Sequence, residues 1–306
     1  MRGVVLILGA SGKVGRHSHQ AFAQAGWEVS NYDRRSGNLI RAAEGVDVIV
    51  NGLNPPGYHN WTEIIPAITR EVVEAAQASG ATVLVPGNVY NLDDQGGEWS
   101  EFTPHRPTTR KGRIREEMER TYEASGVQTI ILRAGNFIVP ERTGDVMDLL
   151  YLRALRNDKI TLAGDAHVMQ AYCYVPDWAR AACLLAERRS TLNDFEDVPF
   201  PGHGFTAEDL RRFLSEELGR PLRFTTFPWW AMSIASPFWE LAREMLEMRY
   251  LWNVSHRLAG TKLARLRPDF EPTPLAEVLR GAIPPELRQD RAGAGAPELD
   301  HHQTTS

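Results

Sequence analysis

Gly9-Ala10-Ser11-Gly12-Lys13-Val14-Gly15 carries the first recognisable chemistry in this chain. Without side chains at Gly9 and Gly12 the backbone can turn tightly and approach an anion, while Gly15 lets a helix lie close to the preceding strand. The segment joins the apolar run Val4–Leu8 to a helical stretch from Arg16 to Ala25. The free N–H groups and dipole of a helix start therefore face whatever the loop holds. Asp33 ends the next strand, where a carboxylate can accept the hydroxyls of an adenosine ribose. These features predict a dinucleotide site containing Gly9, Ser11, Gly12, Lys13, Val14, Gly15, Asp33 and Arg34. Asp33 suits a free 2′-hydroxyl and repels a 2′-phosphate. Lys13, Arg34 and Arg35 could pair with that phosphate, or the two arginines could simply be solvated. The cofactor is read as NAD(P), with the balance tipping slightly to NAD.

The elements that must position this loop are legible from periodicity. Apolar runs at Val4–Leu8, Glu28–Tyr32, Val46–Val50, Thr82–Val85 and Thr129–Leu132 alternate with helical segments, as in a parallel sheet with crossover helices. Gly26, Gly80 and Gly126 each close a helix and release the chain into a strand. About a dozen residues separate Asp33 from Val46, enough for a helix over Asn38–Glu44 but not for a further strand and second helix. The predicted fold class is thus α/β, a Rossmann-like doubly wound parallel sheet lacking one edge strand, with a smaller C-terminal substrate lobe. The expected division is 1–165 for the nucleotide domain, 166–288 for the lobe, interleaved with the sheet, and 289–306 for a disordered tail. In the second half, short strands are expected at Ile160–Leu162 and Ala171–Val175. Thr206 is expected to cap a helix whose apolar face is Leu210, Phe213, Leu214 and Leu218. The aromatic stretch Trp229–Trp252 reads as core packing, a substrate lid or a dimer contact.

The ordered series of motifs resembles the extended and atypical short-chain dehydrogenase/reductases, the NAD-dependent epimerase/dehydratase family, over roughly Val4 to Leu279. Besides the glycine loop, the series comprises Val48-Ile49-Val50-Asn51-Gly52-Leu53, Gly87-Asn88-Val89-Tyr90, Lys111, Arg133-Ala134-Gly135-Asn136-Phe137 and Tyr172 to Ala181. The segment Pro268 to Leu275 also looks like that family's terminal segment. The resemblance implies that Gly52, Leu53 and Asn54 line the cofactor. It also implies that Lys111 hydrogen-bonds the nicotinamide ribose and lowers the pKa of a neighbouring tyrosine, and that Asn136 faces the substrate.

Two departures bear on catalysis. The family's tyrosine, four residues before the lysine, is Pro107 here, and its Ser or Thr is Pro86. Neither proline can exchange a proton, so Lys111 serves cofactor binding or is merely an exposed lysine at a helix start. Tyr90 is the first substitute for the proton exchanger, followed by Tyr58, with His59, Thr108 and Thr109 in further segments expected at the C-terminal edge of the sheet. Asn88 and His59 join Asn136 as substrate-facing candidates. The position where nucleotide-sugar members carry a diphosphate-gripping Arg falls on Gln170, which weakens a nucleotide-sugar assignment. Arg133 either matches a family site position or is a structural pairing residue.

Composition sets outer limits. With 306 residues, 42% hydrophobic and 24% charged, the chain can bury a sizeable core. Its net charge of -5 argues against a nucleic-acid surface. Cys173 and Cys183 make neither a disulfide framework nor a zinc site and are read as core residues, with no metal expected. The longest uncharged stretch, Phe224 to Trp239, is interrupted by Pro228 and Pro237 and is a poor bilayer span. These features predict a cytoplasmic protein with a small-molecule substrate and no membrane partner; a homodimer is compatible with them. Two functions follow: an oxidoreductase or epimerase-like enzyme acting on a small carbonyl, hydroxyl or sugar-type substrate without the usual Ser/Tyr pair, or a catalytically inactive NAD(P)-binding regulator.

Overall fold

A computed structural model describes residues 2–92, 94–141 and 144–288. The predicted tail, 289–306, lies outside the described residues. In chain order the strands are β1 (Val4–Leu8), β2 (Glu28–Asn31), β3 (Val48–Asn51), β4 (Thr82–Gly87), β5 (Gly97–Trp99), β6 (Thr129–Arg133), β7 (Asn136–Ile138), β8 (Lys159–Leu162), β9 (Gln170–Tyr174), β10 (Phe195–Pro199), β11 (His203–Phe205), β12 (Arg223–Thr226) and β13 (His256–Leu258). The helices are α1 (Lys13–Gln24), α2 (Leu39–Ala42), α3 (Trp61–Ser79), α4 (Arg110–Ala124), α5 (Val175–Glu187), α6 (Ala207–Leu218), α7 (Trp229–Ala235), α8 (Glu240–Glu247), α9 (Thr261–Leu266), α10 (Leu275–Ala282) and α11 (Pro285–Arg288).

Six strands form one parallel sheet in the order β10-β6-β4-β3-β1-β2. Strand side chains alternate between faces, and the core divides accordingly. Val5 and Ile7 pack with Phe22 of α1 and Trp178 of α5 on one side. Leu6 and Leu8 pack on the other with Ile65 and Val72 of α3 and with Met118 and Tyr122 of α4. This is the doubly wound arrangement, and β2 pairs only with β1, so the sheet ends where the predicted missing strand would have continued it. The helix expected over Asn38–Glu44 is only the four-residue α2, capped by Asn38 accepting from the Arg41 N–H. Pro86 is tolerated inside β4 because β3 stops pairing at Leu84, and only β6 accompanies β4 beyond it. Gly26, Gly80 and Gly126 all have left-handed φ, as helix-closing glycines require.

The C-terminal half builds a third cluster from Leu150, Ile160, Tyr172, Leu210, Trp229 and Leu279. Thr206 and Asp209 form a reciprocal capping box at α6. The aromatic stretch divides: Trp229 is buried, its Nε1 donating to Ala163 O, while Trp230, Ile234, Phe238 and Trp239 are exposed. Cys173 and Cys183 are buried and unbridged. No helix among the described residues is long and apolar enough to cross a membrane.

Candidate functional site

The loop between β1 and α1 turns through Gly9, whose φ is +73° and whose carbonyl accepts from Gly12 N–H at 2.9 Å. A Cβ at Gly15 would come within 2.2 Å of Gly9 O, so the helix start lies flush on the turn. Gly12 caps α1 without any side-chain hydrogen bond. The first N–H groups of this twelve-residue helix are thus available to an anion, with the helix dipole behind them. Ser11 and Gly12 are exposed at the turn, and Val14 is buried in the core. Lys13 is half-buried with Nζ 3.7 Å from Asp145. Asp33 accepts from Arg35 N–H at 2.9 Å and so caps the short turn Arg34–Ser36, leaving Arg34 exposed. Beside the loop, Asn51 accepts from Leu53 N–H and donates to Tyr122 Oη. Gly52 and Leu53 follow the C-terminal end of β3, next to β1. A tight glycine turn, an uncapped helix start and a carboxylate after β2 fit the diphosphate and ribose of a dinucleotide.

Tyr58 and Tyr90, 32 residues apart, meet with their hydroxyl oxygens 3.1 Å apart. The segment carrying Tyr58 is bent sharply. Tyr58 and Asn60 both have left-handed φ, of +62° and +42°, values that side-chain-bearing residues adopt only when the surroundings hold them. Those surroundings are Trp61, tilted against Tyr58 and stacked on Tyr90, and Glu240 of α8, which accepts from Asn60 N–H and contacts His59 Nδ1 at 2.8 Å. On the Tyr90 side, α4 begins against the backbone: a Cβ at Gly112 would lie 2.2 Å from Tyr90 O. Burial raises the Tyr90 phenol above its ordinary pKa, opposed by the Tyr58 hydrogen bond and the Arg115 charge. Tyr58 is raised well above it, first by repulsion from an ionised Tyr90 and then by burial. Both phenols are thus held above their ordinary range, and either hydroxyl can donate in the contact between them.

Lys111 is not the exposed helix-start residue that was the alternative expectation. It is fully buried, and Nζ donates to Glu244 Oε2 and, at 2.8 Å, to Glu247 Oε2. Arg110 also binds Glu244, and Lys111 N–H donates to Glu247. Burial raises the Glu244 carboxyl, but hydrogen bonds from Lys111 and Arg110 outweigh it and hold the group below the usual glutamate range. One turn along α4, Arg115 donates Nη2 to Asn54 Oδ1 at 2.7 Å and lies 4.6 Å from the Trp61 ring centre.

The remaining candidates are dispersed. Asn88 accepts from Tyr90 N–H and is half-buried, while Asn136 begins β7 opposite Tyr172. His59 is exposed and engaged with Glu240. Thr109 caps α4 by accepting from Gly112 N–H. Gln170 is buried and donates to Leu251 O and Val254 O, so this side chain fastens the C-terminal segment. Arg133 is a structural pairing residue: its guanidinium binds Glu119, Asp197, Asn91 and the Asn88 carbonyl. His105, Glu119 and Asp197 bring ligand atoms within 4.8 Å of one another, and Arg133 is the cation that binds the two carboxylates there. Sequence reasoning missed Arg115, Trp61, Glu244 and Glu247. Arg115 had a usable signal, since it lies four residues after Lys111 on one helix face; the glutamates had none.

The sequence model of the NAD dependent epimerase/dehydratase family matches residues 5–198, from β1 through the last strand of the main sheet. The chain belongs to that family. Among solved structures it is similar to MoeE5 in complex with UDP-glucose and NAD, at 18% identity and a TM-score of 0.72, covering 95% of this chain and 100% of that one. A UDP-glucuronic acid 4-epimerase from Bacillus cereus, in complex with UDP-glucuronic acid and NAD, aligns at 15% identity and a TM-score of 0.73 over 91% of this chain and 97% of that one. TunA, an NAD dependent NDP-hexosamine 5,6-dehydratase, aligns at 17% identity and a TM-score of 0.69 over 94% and 98%. At such identities the likeness establishes the fold. No curated protein sequence matches the chain. In this member of the epimerase/dehydratase family, Tyr58 and Tyr90 bring together two hydroxyls, the proton-exchanging groups that Pro86 and Pro107 lack.

Proposed function

We propose that the protein is an NAD-dependent oxidoreductase or epimerase acting on a hydroxyl or carbonyl of a small or sugar-type substrate, with Tyr90 exchanging the proton. Family membership and the fit of Gly9–Gly15 and Asp33 to a dinucleotide support the cofactor, and solved relatives of the same fold are NAD complexes. NAD, when bound, supplies the hydride chemistry. The chain's own part is to orient both partners and to hold a proton at the reacting oxygen. The observation that carries this reading is the Tyr58–Tyr90 hydroxyl contact, because it provides an acid in the loop after β4, the strand that has Pro86 at the expected serine position. With both phenols raised by burial, Tyr90 is protonated at neutral pH. It is suited to donate to a substrate carbonyl oxygen while Tyr58 donates to the phenolate left behind. Several solved relatives hold UDP-sugars. A diphosphate grip here would come from residues other than Gln170, whose amide is engaged with Leu251 and Val254.

The test is a nicotinamide-absorbance assay across a carbonyl, hydroxyl and nucleotide-sugar panel. Tyr90→Phe is expected to lower turnover roughly a hundred- to ten-thousand-fold while leaving NAD affinity in place. Full turnover in that variant would remove Tyr90 from the reaction. The engagement of Lys111 by Glu244 and Glu247 favours a second reading, a nucleotide-binding regulator without catalysis. Tight NAD binding with silence across the whole panel would support it.

A further inference from the structure

Arg115 is a buried guanidinium that forms no ion pair with a carboxylate among the described residues. Nη2 donates to the neutral amide oxygen of Asn54, Nη1 approaches Met118 Sδ at 3.4 Å, and the buried Nε meets no acceptor. Its remaining contact is the face of Trp61, the ring that also packs on Tyr58 and Tyr90. Removing a cation from water without a paired charge is costly. Arg133, equally buried, shows the ordinary solution by binding Glu119 and Asp197.

Lys111, one turn earlier on α4, is in the opposite condition. Lys111 is bound by two carboxylates, Glu244 and Glu247, which also meet the more exposed Arg110 and, at Glu244, Arg243. Lys111 Nζ lies 5.0 Å from the Tyr58 ring centre, but its charge arrives there largely cancelled.

We infer that Arg115, not Lys111, is the cation that stabilises ionisation of the Tyr58–Tyr90 pair, acting as a positioning residue for the proton exchanger. The inference rests on the proposed role of Tyr90. The other groups around the pair do not supply this charge. Glu244 opposes ionisation of Tyr58, and Tyr250 interacts with Tyr90 as a second buried phenol. Glu119 and Tyr122 act on Arg115 from its own helix, Glu119 being bound by Arg133. Arg115 lowers both phenols against the burial that raises them.

The experiment places 3-fluorotyrosine at position 90 of the full chain, where fluorine acidifies the phenol. Its fluorine resonance is then followed against pH without nucleotide or substrate. Arg115→Gln is expected to raise the midpoint by about one to two pH units, and Arg115→Lys to bring it back toward the unsubstituted protein. The double variant Lys111→Met/Glu244→Gln removes one charge of each sign and is expected to leave the midpoint in place. Asn54→Asp keeps Arg115 buried but supplies a carboxylate partner, and is expected to raise the midpoint even where Arg115→Gln does not fold. An unmoved midpoint in Arg115→Gln or Asn54→Asp, an Arg115→Lys variant that follows Arg115→Gln, or an equal shift in the double variant would overturn the assignment. Because the titration needs no turnover, its failure is separate from retention of activity in Tyr90→Phe, which overturns the catalytic reading instead.

Discussion

Tyr90 and Tyr58 illustrate how two groups of one type become unequal. Burial is the main cause that raises Tyr90, whereas Tyr58 is raised first by the charge an ionised Tyr90 would carry and then by burial. Neither proline at 86 or 107 can exchange a proton, which is why these hydroxyls are proposed in their place. Asp33 is the residue proposed to discriminate between dinucleotides. Its exposed carboxylate already orders the turn through Arg35 N–H, which presents an acceptor after β2. Asp33→Ala is expected to weaken NAD more than NADP in a fluorescence titration. Equal loss for both would show that the carboxylate does not read the 2′-hydroxyl.

Helix α8 is one of the elements that join the C-terminal half to the nucleotide-binding half. Glu240 holds the bent Tyr58–Asn60 segment, while Glu244 and Glu247 hold the start of α4. Glu244 is depressed in the folded state. Its contribution is therefore present above the ordinary glutamate pKa of about 4.3 and is lost as pH falls through the lower folded value. Amide protection factors in Glu240–Glu247 and at the start of α4 are expected to fall on acidification below that range. Glu244→Gln should show low protection at neutral pH and a flatter pH response. Unchanged protection at low pH would mean that packing, rather than the carboxylate, fastens α8.

Across the whole molecule, Arg133 links parts that the chain separates widely. From the end of β6 it reaches the loop after β4 through Asn88 and Asn91, helix α4 through Glu119, and β10 through Asp197. Burial lowers its pKa, but Glu119 and Asp197 more than offset this and raise it, so the guanidinium is permanently charged. Arg133→Met leaves both carboxylates without their cation and is expected to cost about 3–5 kcal/mol in urea unfolding. A loss below about 1 kcal/mol would show that the carboxylates find other partners or bind protons without penalty. The family match ends at residue 198, just before the sheet's last strand is complete.

Five strands of the main sheet and its short edge could be read from the chain because local chemistry specifies them, whereas β10, at the opposite edge, was not anticipated. Strand runs, helix-closing glycines and a dozen-residue gap each act over a few neighbouring residues. The glycine loop was legible for the same reason: turn, close approach and helix start are consecutive. Lys111 was visible as a residue but not in its condition. Glu244, which neutralises it, lies 133 positions away, and neither periodicity nor spacing links them. The fates of Gln170, Arg133 and Arg115 were likewise hidden, since burial and counter-charge are properties of surroundings assembled from distant segments. Residue order thus carried the frame that holds a dinucleotide. Three-dimensional packing determined which hydroxyls meet, and which cation remains without a carboxylate beside them.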